Sequence, residues 1–134
     1  MIVLDASAAI AVLLNVGVGT SAPAIWERLA GSDEEPHVPH LFEIEVSSAL
    51  RRHALVHNLS EKRGSELLED LASMKLNRYP HTALLRRTWE LKGNVTVQDA
   101  AYIALAETLD APLVTMDARL ARASGIHAVV EVYG

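Results

Sequence analysis

Short apolar runs alternate with longer helical segments along the chain, and this alternation restricts the fold more than any other feature of the sequence. The runs at residues 2–5 (IVLD) and 113–115 (LVT) are aliphatic and β-branched, and each is followed by a helical pattern. Parallel strands need a long crossover between them, which is usually a helix. The alternation therefore predicts an α/β fold in which a short parallel sheet is flanked by helices.

The spacing of apolar residues gives the individual elements. We predict strands at residues 2–5, 37–38, 75–79, 113–115 and 127–133. We predict helices over residues 6–15, 22–30, 40–58, 61–74, 80–92, 96–110 and 117–123. Residues typical of turns and helix ends separate them: Gly17, Gly19, Thr20, Ser21 (as an N-cap), Asn58, Ser60 and Thr96. Side chains expected in the core of the fourth and fifth helices are Leu67, Leu68, Leu71, Leu84, Leu85 and Trp89.

Length and composition exclude several classes of protein. The 134 residues suffice for one domain, and we expect a single domain over residues 1–134. The lack of cysteine excludes a disulfide framework, a thiolate zinc site and a cysteine nucleophile. No run of 18 apolar residues is present and no basic residue precedes the apolar N-terminus, so we expect a cytoplasmic protein without a membrane segment. The net charge of −5 disfavours a protein that coats DNA nonspecifically.

Acidic residues stand where the predicted strands end and helices begin. Asp5 ends the first strand, Asp99 lies in the first turn of its helix, and Asp117 follows the strand 113–115 by two residues. Glu45 lies at the edge of the apolar stripe of its helix. Functional groups of parallel α/β sheets gather at this carboxyl edge. Carboxylates crowded together repel unless a cation neutralises them, and they are hard ligands that suit Mg²⁺ or Mn²⁺.

Each acid also has a structural interpretation. Asp5, Asp99 and Asp117 stand where a carboxylate caps a helix or interacts favourably with its dipole. Glu45 could form a surface ion pair, which contributes little to stability. The spacing alone therefore supports a metal site and a set of helix caps about equally.

The segments IVLDASAAIAVLL, FEIEVSSALRR and VTVQDAAYIALAETLDAPLVTMDARLARASG resemble the PIN-domain ribonucleases, and in particular the VapC toxins of bacterial toxin–antitoxin pairs. The resemblance runs from residue 2 to about residue 130. It implies a PIN-like three-layer fold and Mg²⁺-dependent endonucleolytic cleavage of RNA, with Mn²⁺ as a substitute. It also implies a tRNA or rRNA substrate, a VapB-type antitoxin whose C-terminal segment blocks the site, and a homodimer.

The resemblance also assigns site residues. The four acids of the family, which hold the metal, fall on Asp5, Glu45, Asp99 and Asp117. Glu43 competes for the second position, but the "EV..AL.R" pattern that follows favours Glu45. The hydroxyls that accompany the acids fall on Ser7 and Thr115, with the implied role of bonding a carboxylate or a metal-bound water. No acid of the motif is missing, which argues against an inactive relative.

Arginine and histidine residues offer weaker signals. We choose Arg119 as the contact to RNA or antitoxin because it lies closest to a site acid, although a solvated helix face is the alternative for every arginine. His53 and His57 share a helix face, but no further zinc ligands are evident. His37 and His40 flank Pro39 and are expected in a loop. Apolar residues in 25–29 and 50–56 are candidates for a dimer or antitoxin surface, with core packing as the alternative.

The sequence supports three hypotheses about function, which we rank from the most to the least favoured. A metal-dependent ribonuclease toxin comes first. A PIN-fold module that binds RNA or protein without cleaving it comes second, and the intact set of acids argues against it. A phospho-acceptor signalling domain comes last, because such a domain needs a late lysine and none follows Lys92.

Overall fold

Five short strands form one parallel sheet in this computed structural model, which describes residues 1–14 and 21–134. The strands are β1 (Val3–Leu4), β2 (His37–Pro39), β3 (Asn77–Tyr79), β4 (Leu113–Thr115) and β5 (Val130–Val132). Their order is β3-β2-β1-β4-β5, and every neighbouring pair is parallel. The N-terminal strand therefore occupies the centre of the sheet, and the predicted α/β fold is confirmed.

The helices occupy the connections between the strands. They are α1 (Ala6–Leu14), α2 (Ser21–Ala30), α3 (Phe42–His57), α4 (Glu61–Ser73), α5 (Leu85–Glu90), α6 (Val97–Leu109) and α7 (Ala118–Ala121), with a 3₁₀ turn at Thr82–Leu84. Helix α6 packs against β1, β2 and β4, while α1 packs against α2, α3 and α4. Within residues 1–14 and 21–134, no helix combines the length and apolar character needed to cross a membrane.

The core is densest where α6 meets the sheet. The segment 100–106 of this helix is buried at every position, and four of its seven residues are alanine. Small side chains let the helix approach the strands closely, so Val3 and Leu4 of the central strand are fully buried. This close packing fixes the first turn of α6 relative to the end of β1.

Polar residues end the helices much as the sequence predicts. The Ser60 hydroxyl accepts a hydrogen bond from the Arg63 amide at 3.1 Å, and Thr96 caps α6 in the same way. Asn58 and Asp110 adopt left-handed conformations at the ends of α3 and α6. Asparagine and aspartate tolerate this conformation better than most residues.

The helix predicted over residues 80–92 is wrong in its length and its buried face. The segment divides into a 3₁₀ turn and the short α5, and the predicted core residues Leu85 and Trp89 are 55% and 67% exposed. Leu84 is buried as predicted, and Thr88 and Leu91 are buried in place of Leu85 and Trp89. The Thr88 hydroxyl donates to the Leu85 carbonyl at 2.8 Å, which permits a polar side chain on the buried face.

Three smaller predictions are also wrong. His37 lies in β2, which agrees with the strand predicted at residues 37–38 and not with a loop. It is buried, and its ring nitrogens contact the Tyr79 hydroxyl at 2.6 Å and a Glu34 carboxylate oxygen at 2.9 Å. Ser21 is the first residue of α2 instead of preceding it, and Leu68 is 47% exposed. Paired polar groups allow His37 to be buried, which its apparent position in a loop did not indicate.

The predicted chain break at Gly17, Gly19 and Thr20 lies outside the described residues, as does the predicted end of the first helix at residue 15.

Candidate active site

One cleft at the carboxyl edge of the sheet contains all four predicted acids. It has a volume of about 390 Å³ and is lined by Asp5, Ser7, Ile10, Glu45, Arg52, Asp99, Tyr102, Met116 and Asp117, together with small alanine side chains. Asp5 follows β1, and Asp117 follows the neighbouring strand β4 by two residues. The other two acids lie in the first turns of α3 and α6. The parallel sheet thus brings together residues that are far apart in sequence.

Asp5 is the most deeply buried of these acids, with 6% of its surface exposed. One carboxylate oxygen accepts hydrogen bonds from the Ser7 hydroxyl at 2.7 Å and the Ala8 amide at 3.0 Å. The other accepts a bond from the Thr115 hydroxyl. Burial raises the pKa of Asp5, these bonds lower it, and the charge of Asp99 raises it further. Asp5 therefore caps α1 and faces the cleft at once, so its two interpretations do not exclude each other.

The two predicted hydroxyls join the start of α1 to the end of β4. The Ser7 and Thr115 oxygens lie 3.2 Å apart. Ser7 also accepts a bond from the Met116 amide at 3.0 Å, and Thr115 accepts one from the Asp117 amide at the same distance. The hydroxyls thus fix the orientation of the Asp5 carboxylate and the backbone that carries Asp117.

Glu45 faces the cleft from α3, whereas its competitor Glu43 does not. The Glu43 carboxylate forms a two-pronged ion pair with Arg78, with N–O distances of 2.8 and 3.1 Å. Glu45 is half-buried, and burial is the main cause that raises its pKa. The nearby Tyr102 hydroxyl lowers this pKa, and the charges of Asp99 and Asp5 raise it. Of the two glutamates, only Glu45 lines the cleft among the described residues.

Asp99 and Asp117 experience opposite surroundings. Burial raises the pKa of Asp99, and the charge of Asp117 adds to this effect. The Asp117 carboxylate instead pairs with the Arg119 guanidinium at 2.6 and 3.0 Å and accepts the Arg119 amide at 2.9 Å. This pairing lowers the pKa of Asp117. Asp117 also caps α7, so here too a capping role coexists with a place in the cleft.

The donor set suits a hard divalent cation, although the acids are not arranged around one. In residues 1–14 and 21–134, no three histidine or acidic side chains converge closely enough to hold a metal ion. Both oxygens of Asp5 accept protein hydrogen bonds, and Asp117 is paired with Arg119. The charge of Asp99 nevertheless raises the pKa of Asp5 and Glu45, and the charge of Asp117 raises that of Asp99, which is repulsion that a bound cation would relieve.

Two cleft residues, Tyr102 and Arg52, were not selected as site residues from the sequence. Tyr102 lies three residues after Asp99 on α6, and Arg52 lies seven residues after Glu45 on α3. Residues spaced by three, four or seven share a helix face. That spacing could have placed both side chains beside the acids.

The sequence and the fold match one family of known proteins. Residues 2–126 match the family model of the PIN domain. Ribonuclease VapC9 of Mycobacterium tuberculosis strain H37Rv is 44% identical over 120 residues, which cover 90% of this chain and 88% of that protein. Ribonuclease VapC12 of the same strain is 38% identical over 132 residues, which cover 98% of each protein.

The fold also agrees with a solved structure. VapBC2 from Rickettsia felis, crystallised bound to a DNA fragment from its promoter, superposes with a TM-score of 0.70 at 16% identity. The match covers 100% of both chains. At this identity the likeness concerns the fold alone.

Proposed function

The chain belongs to the PIN-domain family and, within it, to the VapC-type ribonucleases, and from this premise we propose that it hydrolyses phosphodiester bonds of RNA as a toxin. The reaction would take place in the cleft that contains Asp5, Glu45, Asp99 and Asp117. The observation that carries the proposal is the convergence of acids from residues 5 to 117 on one cleft at the carboxyl edge of the sheet. The resemblance to VapC toxins supports Mg²⁺ as the cofactor, with Mn²⁺ as a substitute.

The four carboxylates would hold the cation. When bound, a divalent cation activates water for attack and stabilises the charge that develops on the phosphate. Asp5 is held by Ser7 and Thr115, so this acid would be in place before the cation arrives. Asp117 would have to exchange its partner Arg119 for the cation.

Arg119 fits a contact to RNA. Its side chain is 80% exposed, and the pair with Asp117 holds it at the rim of the cleft. A guanidinium presents several donors in a plane and binds phosphate through two of them. Once Asp117 engages a cation, Arg119 would be free to bind the RNA backbone or an acidic group of the antitoxin.

We further propose a VapB-type antitoxin and a homodimer as partners, and a tRNA or rRNA substrate in the cytoplasm. The two apolar segments singled out in the sequence contain both core and surface residues. Ile25 and Leu50 are buried, whereas Trp26, Leu55 and Val56 are 62%, 67% and 73% exposed. Such exposed apolar side chains suit a protein interface. Light scattering that gives twice the 14.5 kDa chain mass would support the dimer.

Binding of Mn²⁺ tests the site without knowledge of the RNA. Antitoxin-free protein is titrated with Mn²⁺ while thermal unfolding is followed, beside Asp5→Asn and Asp99→Asn, with the exposed loop residue Asp33→Asn as a matched control. Ligand at about 100 times its Kd adds roughly 2.7 kcal/mol, which is several degrees for a chain of this size. We expect the shift in the wild type and in Asp33→Asn, and its loss in the two cleft variants.

The same proteins distinguish the ribonuclease from the silent binding module. We expect the wild type and Asp33→Asn to cleave a mixture of tRNA and rRNA in the presence of Mg²⁺. Addition of EDTA should end the cleavage. Asp99→Asn should bind the mixture without cleaving it. RNA that is bound but never cleaved by the wild type, together with no Mn²⁺ shift, would favour the binding module instead.

A further inference from the structure

Tyr102 is a buried tyrosine whose hydroxyl makes no hydrogen bond of normal geometry with any described residue. It is the largest of the fully buried side chains, with 2% of its surface exposed. Within the described part of the chain, its hydroxyl oxygen is the one buried side-chain polar atom without a hydrogen bond. Leaving a buried polar group unpaired destabilises the folded state. Phenylalanine would avoid that cost, so the hydroxyl calls for an explanation.

The hydroxyl faces the acids of the cleft. Tyr102 lines the cleft together with Glu45, Asp5 and Asp99. Burial raises the pKa of Tyr102 most, the close approach of its hydroxyl to the Glu45 carboxylate raises it further, and the charges of Glu45, Asp5 and Asp99 add to this effect. The phenol thus lies beside Glu45 without a hydrogen bond of normal geometry.

A phenol in this place can do what a charged side chain cannot. Tyrosine is neutral at physiological pH and donates one hydrogen bond. A lysine or arginine would compete with a divalent cation for the carboxylates, whereas a phenol adds no charge. A donor on one oxygen of a carboxylate orients the group and leaves the other oxygen to a cation.

We propose that Tyr102 is a positioning residue for Glu45: its hydroxyl donates to the Glu45 carboxylate when the cleft holds a divalent cation, and so orients that ligand. The inference rests on the proposed function, because it requires the cation. It explains the burial of the hydroxyl without a partner, since the partner geometry forms only on binding. It also explains why the tyrosine stands three residues after Asp99 on the same helix.

Calorimetric titration with Mn²⁺ of wild type, Tyr102→Phe and Tyr79→Phe tests the proposal. The Tyr79 hydroxyl bonds His37 and does not line the cleft, so Tyr79→Phe is a matched control. We expect Tyr102→Phe to weaken Mn²⁺ binding about 10–100-fold, as loss of such orienting contacts does. Its melting temperature without metal should equal or exceed that of the wild type. Tyr79→Phe should keep wild-type affinity and lose stability. A tyrosine that served packing alone would leave the Mn²⁺ affinity unchanged.

A measurement on the wild type removes dependence on the folding of the variant. The chain has three tyrosines, so ¹³C labelling at Cζ gives a small set of NMR signals. We expect Mg²⁺ to shift the Tyr102 signal and to leave the Tyr79 signal in place. A Tyr102 signal unmoved by saturating Mg²⁺, or wild-type Mn²⁺ affinity in Tyr102→Phe, would overturn the inference alone. A wild type that binds neither ion would overturn the proposed function and this inference with it.

Discussion

The Asp5 carboxylate depends on the hydroxyls of Ser7 and Thr115, which bond no other carboxylate among residues 1–14 and 21–134. Thr115→Val keeps the shape of the side chain and removes the donor to Asp5. Hydrogen bonds to charged groups contribute about 1.5–3 kcal/mol, so we expect urea unfolding to show a loss of about that size without metal. Thr88→Val is the matched control, because Thr88 is also buried and its hydroxyl donates to the Leu85 carbonyl of its own helix. Equal losses in the two variants would show that Asp5 does not need this donor.

Arg119 and a divalent cation compete for Asp117. In Arg119→Gln we expect Mn²⁺ to bind more tightly and RNA to bind more weakly, because the glutamine neither neutralises Asp117 nor carries charge to phosphate. Fluorescence anisotropy with labelled RNA, measured in EDTA, gives the second quantity. Arg63→Gln is the control, since Arg63 forms an exposed ion pair with Glu66 and does not line the cleft. If both arginine variants weaken RNA binding equally, general charge explains the effect.

At the scale of residues, the sequence predicted where the site residues lie in the fold better than which groups their side chains contact. Spacing identified acids at the ends of elements, and the resemblance to the family selected Glu45 over Glu43. No local pattern could show that Arg119 turns back onto Asp117, since an exposed arginine has many rotamers and solvent as an alternative. The environment of the Tyr102 hydroxyl could not be predicted either, because it depends on how the tertiary fold places Glu45 of α3 near Tyr102 of α6.

An ion pair between α5 and α6 also contacts the loop that precedes β5. Arg87 of α5 bonds the Glu107 carboxylate of α6 at 2.7 and 3.1 Å and also donates to the Gly125 carbonyl at 2.6 Å. The same carboxylate accepts the His127 amide at 2.7 Å. One pair therefore fixes α5, α6 and the loop that leads to β5.

Loss of this pair should weaken the whole fold. Only 24% of the Arg87 side chain and 13% of the Glu107 side chain are exposed, so Arg87→Ala leaves a largely buried carboxylate with fewer partners. We expect a loss of about 1–3 kcal/mol in urea unfolding. Arg86→Ala removes the exposed neighbour on the same helix and should change stability by less than about 0.5 kcal/mol. Equal effects would mean that the ion pair contributes no more than surface charge.

Strands and helix caps were predictable at the scale of elements, whereas buried faces were less so. Short β-branched runs and residues such as Ser60 and Thr96 act locally, so the sequence contains their signal. The face of α5 depends on tertiary packing: Leu85 and Trp89 are exposed because Thr88 satisfies its hydroxyl within the helix and can be buried. A rule that places apolar residues in the core cannot predict that a threonine is buried while a leucine and a tryptophan of the same helix are exposed.

At the scale of the whole molecule, two groups of acids give opposite dependences on pH. Asp5, Glu45 and Asp99 have raised pKa values in the folded state, so the folded protein gains stability as pH falls from neutral towards the ordinary carboxyl pKa. Acids paired with arginine have lowered pKa values, and their stabilising effect is lost as pH falls below the ordinary value: Glu43, Glu107, Asp117 and Glu131.

The stability of the metal-free protein should therefore pass through a maximum in mild acid. We expect the melting temperature in EDTA to rise between about pH 7 and pH 5 and to fall below about pH 4. In Asp99→Asn the rise should be smaller, and stability at pH 7 should be modestly higher than in the wild type, because one source of repulsion is gone. A melting temperature that falls steadily from pH 7 would show that the cleft acids do not repel one another appreciably.

The order of the strands has a consequence for the synthesis of the protein. Strand β1 lies between β2 and β4 in the sheet. Its partner β4 begins at Leu113 and is therefore synthesised much later. Ribosomes build chains from the N-terminus, so Asp5 leaves the ribosome 110 residues before its partner Thr115, and also well before Asp99 and Asp117. A nascent chain therefore cannot carry a complete cleft until residue 117 has left the ribosome. The activity proposed for the cleft cannot precede that moment, however early β1 itself is made.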